Sequence, residues 1–173
     1  MKQILLAGDW VDSPASTATF HAWNPMTGEP TDGEYPITPL SQLQAMAAAG
    51  AEAAEALEQT DVALIGDFLE QYAQRLESRR DEICATAHEE TGLDLAMRLK
   101  EIEFKRMTNQ LRMAAEAARD VSPESWREPL IDTANNIRSC FGPLGGAVLT
   151  IGPNNFPLAF NGASGGDFAA AIA

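Results

Sequence analysis

The sequence has little positive charge and no long apolar run. Lys and Arg total 12 against 25 Asp and Glu, so the formal net charge at pH 7 is -13. Nucleic acids and anionic membrane surfaces bind clusters of Lys and Arg, so the composition argues against both as partners. No apolar run is long enough to span a bilayer, and the run after Met1 is too short for a signal peptide. These absences predict a soluble cytoplasmic protein with no nucleic-acid or membrane partner.

Cysteine and histidine are also scarce, with two residues of each. Cys84 and Cys140 show no C-x-x-C or Cys/His spacing, so we predict no metal site and two free thiols in a reducing compartment. Neither cysteine has a base close in sequence that would activate it as a nucleophile. His88 is predicted to be a solvated surface residue. The adjacent Glu89–Glu90 point about 100° apart on a helix and form no facing acid–base pair.

The most informative stretch runs from residue 142 to residue 160. Ala147–Ile151 is a short apolar run bounded by glycine and proline, which predicts a buried strand. Pro153–Pro157 predicts a tight turn, and the apolar pattern that follows predicts a helix with Pro157 as its first residue. Small residues within that helix predict close backbone packing: Gly162, Ser164, Gly165 and Gly166.

Asn155 lies in the predicted turn and is the strongest catalytic candidate. A side-chain amide at the end of a strand can donate to a developing oxyanion. Asparagine is also a favoured turn residue, so a purely structural role stays open. Gly142–Gly146 precedes the strand and therefore lies at the wrong end for a dinucleotide fingerprint. The chain stops in an apolar helical pattern, which predicts that it is the front of a longer protein.

The rest of the chain predicts hairpins at both ends of a helical region. Residues 3–11 predict a hairpin with a Gly8–Asp9 turn, and Asn24–Gly28 has the chemistry of another turn. Residues 33–37 are expected to be extended. A second hairpin is predicted from Trp126–Asp132 and Asn136–Phe141.

Three amphipathic helices are predicted between residues 38 and 120. The first begins with Thr38 as N-cap and Pro39 at the first helical position. Its predicted apolar face comprises Leu40, Leu43, Met46, Ala47, Ala54 and Leu57. The second runs from Asp61 to a glycine stop at Gly92. The third runs from Asp94 to Asp120, with inward-facing residues predicted at Leu95, Leu99, Ile102, Leu111 and Ala115.

Residues Ile151–Phe160 resemble the Pro-x-Asn-Phe-Pro segment of the aldehyde dehydrogenase superfamily. The continuation, Asn161–Ala171, is similar to the branch of NADP-preferring α-ketoglutaric semialdehyde (2,5-dioxovalerate) dehydrogenases and related fatty aldehyde dehydrogenases. Further segments fit that branch: Asn24-Pro25-x-Thr27-Gly28, Arg79–Ile83, Glu90–Leu93, Gln110–Arg112 and Ile131–Thr133.

The resemblance implies an α/β fold with an incomplete Rossmann-like cofactor domain. Residues 1–120 would be its N-terminal helical part, 121–142 short oligomerisation strands, and 143–173 the first strand, turn and helix of the truncated core. Asn155 matches the oxyanion-hole asparagine of the family. The site for NADP or NAD would be lined on its nicotinamide-ribose side by Ile151, Gly152, Pro153 and Asn154. Asn154 stands where many relatives carry tryptophan.

The resemblance also implies that the catalytic cysteine and the general-base glutamate lie beyond residue 173. Neither Cys84 nor Cys140 matches the nucleophile, so the chain alone is expected not to oxidise an aldehyde. The full-length protein is expected to be a homo-oligomer that oxidises a small aldehyde, α-ketoglutaric semialdehyde (2,5-dioxovalerate), to the carboxylate, with a fatty aldehyde as the alternative substrate. A naturally truncated, non-catalytic oligomerisation or interaction module is the alternative function.

Overall fold

The computed structural model describes residues 1–13, 18–125, 127–142 and 144–173. Within these residues the strands pair as three antiparallel hairpins: β1 (Ile4–Leu6) with β2 (Asp9–Val11), β3 (Thr19–Asn24) with β4 (Glu29–Pro36), and β5 (Leu130–Asp132) with β6 (Ile137–Ser139). The helices are α1 (Leu40–Glu58), α2 (Val62–Ser78), α3 (Arg80–Thr91), a π-helix (Leu95–Glu103), α4 (Phe104–Arg119) and α5 (Gly166–Ile172). In this part of the chain no helix is long and apolar enough to cross a membrane.

The N-terminal hairpins are closed by turns of the predicted chemistry. Ala7 (φ 51°) and Gly8 (φ 92°) join β1 to β2, both left-handed as a two-residue type I′ turn requires. The hairpin is confirmed, although its turn lies one residue earlier than predicted. Between β3 and β4, the backbone N–H of Met26 donates to the side-chain oxygen of Asn24 at 2.9 Å. Gly28 then adopts φ 73°, which confirms the predicted Asn-Pro turn.

Helix α1 begins one residue later than predicted and buries none of its side chains. Pro39 is its N-cap, with an extended backbone (φ -71°, ψ 158°) and no side-chain capping bond. The predicted N-cap Thr38 is therefore wrong, because Pro39 has not yet entered the helix. Leu40 and Leu43 are 71% and 49% exposed. An apolar pattern makes one face of the helix apolar but does not supply another element to cover that face, so these two side chains stay exposed. Leu57, in contrast, packs against the core.

The predicted helix from Asp61 to Gly92 is two helices. The side chain of Asp61 caps α2, and Gly92 (φ 69°) closes α3, so both predicted ends are confirmed. The break is at Arg79, whose backbone (φ -115°, ψ 17°) leaves the helical region. Ser78 contributes to it, because its hydroxyl donates to the carbonyl of Arg75 at 2.7 Å and competes with the helical ladder.

The first third of the predicted third helix is wound as a π-helix. Its hydrogen bonds run from residue i+5 to residue i, as in the bond from Leu99 N to Asp94 O at 3.0 Å. The wider turn changes which side chains face inward. Leu99 and Glu103 are fully buried, whereas Ile102, predicted to face inward, is 51% exposed.

The core has two apolar clusters. The first joins α2, α4 and α5 through Ile65, Leu69, Ala73, Leu111, Ala115, Ala118 and Ala169. The second joins α3, the π-helix and α4 to a residue of the C-terminal segment, and comprises Cys84, Ala87, Leu99, Phe104, Met107 and Leu158. Because Leu158 is three residues after Asn155, the second cluster anchors the candidate site to the helices.

The predicted second hairpin is confirmed as β5 and β6. Asn136 (φ 53°) lies in its turn, and the side chain of Asp132 accepts from the backbone N–H of Asn135 at 3.1 Å. All six strand residues are exposed. Trp126, the predicted start of this hairpin, and Pro143, the first residue of the predicted core segment, lie outside the described residues.

The predicted buried strand at Ala147–Ile151 is wrong. These residues form no strand, and Leu149 and Ile151 are 86% and 80% exposed. A strand needs a hydrogen-bonded neighbour, and none of the described strands pairs with this segment. The predicted helix start at Pro157 is also wrong, because residues 157–160 form a turn and α5 begins only at Gly166. The side-chain oxygen of Asn161 accepts from Ala163 N at 2.9 Å, so a turn precedes α5.

Candidate functional site

The five predicted site residues form one continuous exposed loop. Ile151, Gly152, Pro153 and Asn154 lead into Asn155, and the last two occupy a turn. None of the first four makes a hydrogen bond with another described residue. All five residues are exposed to solvent.

The N-terminal side of this loop lies against the turn that precedes α5. The hydroxyl of Thr150 donates to the carbonyl of Gly162 at 2.6 Å. A Cβ added at Gly152 would meet Gly162 N at 3.1 Å, so the two backbones already touch. The glycines at these positions permit that approach, and the loop begins from a fixed point.

Arg98 contacts the loop at Asn155 itself. Its Nη2 donates to the backbone carbonyl of Asn155 at 3.0 Å. Its guanidinium carbon lies 4.1 Å from the centroid of the Phe156 ring, which is cation–π geometry. One planar side chain thus holds two consecutive residues of the loop.

Glu103 binds the chain just after the loop. Its side chain is fully buried, and its Oε1 accepts from Arg98 Nε at 2.9 Å. Its Oε2 accepts from the backbone N–H groups of Leu158 and Ala159 at 3.1 Å and 3.4 Å. A buried carboxylate is tolerated where ion pairing and hydrogen bonds compensate its lost hydration, and this one has both.

Sequence reasoning missed both Arg98 and Glu103. The available signal was a charged residue among the apolar positions of the predicted third helix. On an α-helix, residues five apart lie on different faces, so helical spacing predicts no contact between Arg98 and Glu103. The π-helix brings them together.

The two cysteines are in surroundings that do not suit a nucleophile. Cys84 is fully buried, and burial raises the pKa of its thiol, outweighing the opposing effect of Arg80 and Lys100. Cys140 is exposed just after β6. Across residues 1–13, 18–125, 127–142 and 144–173, no group of three His, Cys, Asp or Glu side chains is arranged to hold a metal.

His88 is not the solvated surface residue that was predicted. It is half-buried, and its Nδ1 lies 2.6 Å from the carbonyl of Leu93, because the glycine turn after α3 folds back over it. Glu90 is also half-buried. Burial is the main effect that raises the pKa of Glu90, and its neighbour Glu89 adds to it, while a hydrogen bond with Tyr35 acts in the opposite direction.

The predicted close packing around the small C-terminal residues is confirmed. A Cβ at Gly165 would lie 2.5 Å from Asn161 N, and one at Gly166 would lie 2.8 Å from Gln110 Nε2. The hydroxyl of Ser164 lies 3.2 Å from Met107 Sδ. These contacts seat the turn and the start of α5 against α4.

Comparison with known proteins gives a consistent family signal. The sequence profile of the aldehyde dehydrogenase family matches residues 10–173. Alpha-ketoglutaric semialdehyde dehydrogenase 2 of Azospirillum brasilense is 32% identical over 168 residues, which cover 91% of this chain and 31% of the relative. Alpha-ketoglutaric semialdehyde dehydrogenase of Acinetobacter baylyi is 31% identical over 169 residues, which cover 92% of this chain and 31% of the relative. The chain thus spans about a third of the length of these relatives.

Solved structures agree at the level of the fold. Succinate-semialdehyde dehydrogenase from Burkholderia pseudomallei matches with a TM-score of 0.79 at 22% identity, over 99% of this chain and 34% of that chain. PnpE in complex with nicotinamide adenine dinucleotide matches with a TM-score of 0.77 at 22% identity, over 98% and 34% of the two chains. These matches confirm the predicted α/β fold class.

Proposed function

Because the chain belongs to the aldehyde dehydrogenase family, we propose that it is the N-terminal part of an NAD(P)-dependent enzyme that oxidises an aldehyde to a carboxylate. The observation that carries the proposal is the loop at Asn155, whose side chain is exposed while its backbone carbonyl is held by Arg98. The proposed substrate is α-ketoglutaric semialdehyde, which the names of both curated relatives support.

Asn155 is proposed to supply an oxyanion donor. When a thiolate attacks an aldehyde carbonyl, the oxygen gains negative charge, and a fixed amide N–H stabilises that charge more than it stabilises the neutral substrate. A donor of this kind must be exposed to the substrate and held on a restrained backbone. Asn155 meets both requirements.

The preceding four residues are proposed to line the nicotinamide-ribose side of the cofactor. Ile151, Gly152, Pro153 and Asn154 are exposed and make no hydrogen bond with other described residues, so they fit a ligand-lining role. The cofactor held there is proposed to be NADP, with NAD as the alternative, and it would supply the hydride acceptor for the oxidation of the aldehyde. A structural neighbour crystallised with nicotinamide adenine dinucleotide supports this class of cofactor.

The nucleophilic cysteine and the general base are proposed to lie outside these 173 residues. Cys84 is buried in the second core cluster, and Cys140 is exposed just after β6. That hairpin exposes Leu130, Ile131 and Ile137, which supports its proposed role in a cytosolic homo-oligomer.

The test is Asn155→Ala in the full-length gene product that contains this segment. We expect kcat for α-ketoglutaric semialdehyde to fall by about 10²–10³-fold, the usual cost of losing one oxyanion donor. The dissociation constant for NADP should change little. Asn109→Ala is the matched control, because Asn109 is an exposed amide on α4 that contacts Met113.

Unchanged turnover of a folded Asn155→Ala enzyme would remove the oxyanion role. The purified 173-residue chain is assayed in parallel, and we expect no aldehyde-dependent reduction of NADP. Clear activity of that chain would show that its own residues suffice and would overturn the placement of the nucleophile elsewhere.

A further inference from the structure

Two charged side chains of the π-helix bind the chain on either side of Pro157, one at the candidate loop and one just after it. Arg98 binds the carbonyl of Asn155, and Glu103 binds the N–H groups of Leu158 and Ala159. The two side chains are joined to each other at 2.9 Å. A continuous set of hydrogen bonds therefore runs from Asn155 through the π-helix and back to the chain three residues later.

The π-helix geometry is what allows both contacts. Five α-helical residues would turn Arg98 and Glu103 about 140° apart around the axis. Hydrogen bonds from i+5 to i place residues five apart nearly above one another. Such bonds are formed at both ends of this helix, from Leu99 N to Asp94 O and from Phe104 N to Leu99 O.

We propose that Arg98 and Glu103 are positioning residues that hold the main chain at Asn155, so that its side-chain amide stays aimed at the reacting oxygen. The inference rests on the oxyanion role proposed above. The four residues before Asn155 make no hydrogen bond with other described residues, and the fixed point on that side is the bond from Thr150 to Gly162. The hydrogen bond that reaches Asn155 itself comes from Arg98. An error of about 1 Å in such a group costs as much as a hundredfold in rate.

Arg98 suits this role better than a lysine would. Its Nε binds Glu103 while its Nη2 binds Asn155, and its plane covers the Phe156 ring. A single ammonium cannot make these three contacts together. Glu103 in turn fixes the guanidinium from a fully buried position, so the direction of Arg98 is set by the core.

The experiment uses Arg98→Met and Arg98→Lys in the full-length enzyme. Met keeps the apolar stem and removes all three contacts, so we expect kcat to fall between about tenfold and about a hundredfold, with the KM of the aldehyde within about threefold. Lys should recover only part of that loss. Glu103→Gln keeps the shape of the side chain but weakens its bond to Arg98. Its kcat should therefore lie between that of Arg98→Lys and that of the wild type.

Arg112→Met is the matched control. Arg112 also joins two elements through carboxylates, binding Glu77 and Glu70 between α4 and α2, but it does not touch the loop. Its loss should lower the melting temperature without lowering kcat. If Arg98→Met lowers kcat no more than Arg112→Met does at equal folded fraction, the positioning role is wrong.

A double variant separates positioning from general damage. If Arg98 acts through Asn155, Arg98→Met should cause no further loss of kcat in the Asn155→Ala background. An equal loss in both backgrounds would overturn the inference. If the proposed function itself is wrong, the result differs, because Asn155→Ala alone would then keep full turnover. In that case the positioning role is wrong as well.

Discussion

Gly165→Ala tests whether the turn before α5 is as tightly packed as the structure indicates. A Cβ at Gly165 would lie 2.5 Å from Asn161 N, 2.7 Å from Asn161 O and 2.7 Å from the carbonyl carbon of Phe160. All three atoms belong to the backbone of the preceding turn. They cannot move aside as the end of a flexible side chain would, so either the turn or α5 must shift.

The size of the effect follows from two opposing terms. Overpacking of this kind costs about 1–3 kcal/mol. The φ of Gly165 is -79°, which alanine adopts without strain. Alanine also lowers the conformational entropy of the unfolded chain, which stabilises the folded variant by about 0.4–1 kcal/mol. We therefore expect a net loss of about 1.3 kcal/mol in the free energy of unfolding, within limits of about 0 and 2.6 kcal/mol.

The assay is urea unfolding followed by circular dichroism, with Gly142→Ala as the control. A Cβ at Gly142 has no described heavy atom within 4 Å, so the same substitution there should be neutral or slightly stabilising. If Gly165→Ala is as stable as Gly142→Ala, then the turn relaxes freely and the close approach does not constrain the fold.

Two further predictions concern the pairing of α2 with α4. Leu111→Ala should lower the free energy of unfolding by about 2–5 kcal/mol, because Leu111 is fully buried. Met113→Ala is the control: this site on the same helix is 59% exposed, so the free energy of unfolding should change by no more than about 0.5 kcal/mol. Equal effects of the two variants in urea unfolding would contradict the assigned core. The hydrogen bond with Arg112 lowers the pKa of Glu77 below its ordinary 4.5, so the pair stabilises the fold above that pH and the contribution is lost as pH falls through the lowered value. Both side chains are about a third exposed or more, so Glu77→Gln should remove at most about 1 kcal/mol of stability at pH 7, and a variant with the same acid unfolding curve as wild type would refute the contribution.

Local chemistry explains which parts of the fold the sequence predicted well. The Asn24 turn, the Asp61 cap and the Gly92 stop each depend on one side chain and the backbone within a few residues of it. Their energies do not depend on distant parts of the chain. The same reasoning applies to the Asn155 turn, which the motif placed correctly.

Elements that need a distant partner were predicted less well. The apolar run at Ala147–Ile151 has strand composition, but composition cannot supply a neighbouring strand, and the segment stays unpaired and exposed. Helix α1 shows the same limit, since Leu40 and Leu43 follow a helical pattern yet stay exposed. A period in the sequence indicates which side of an element is apolar, and only the tertiary structure shows what covers it.

The π-helix shows why predicting a catalytic role for Asn155 does not also predict the side chains that hold its backbone. With an α-helical period, Ile102 and Glu103 lie three and four residues after Leu99, so both would share its inward face. In the structure only Glu103 stays on that face, because the wider turn of the π-helix exposes Ile102 while Glu103 is fully buried. Residues that hold an active-site loop are chosen for their contacts across the fold, so a single helical period cannot find them. A buried charge at an inward position of a long helix is the feature that indicates such a support, and here it identifies the contact between the helices and the Asn155 loop.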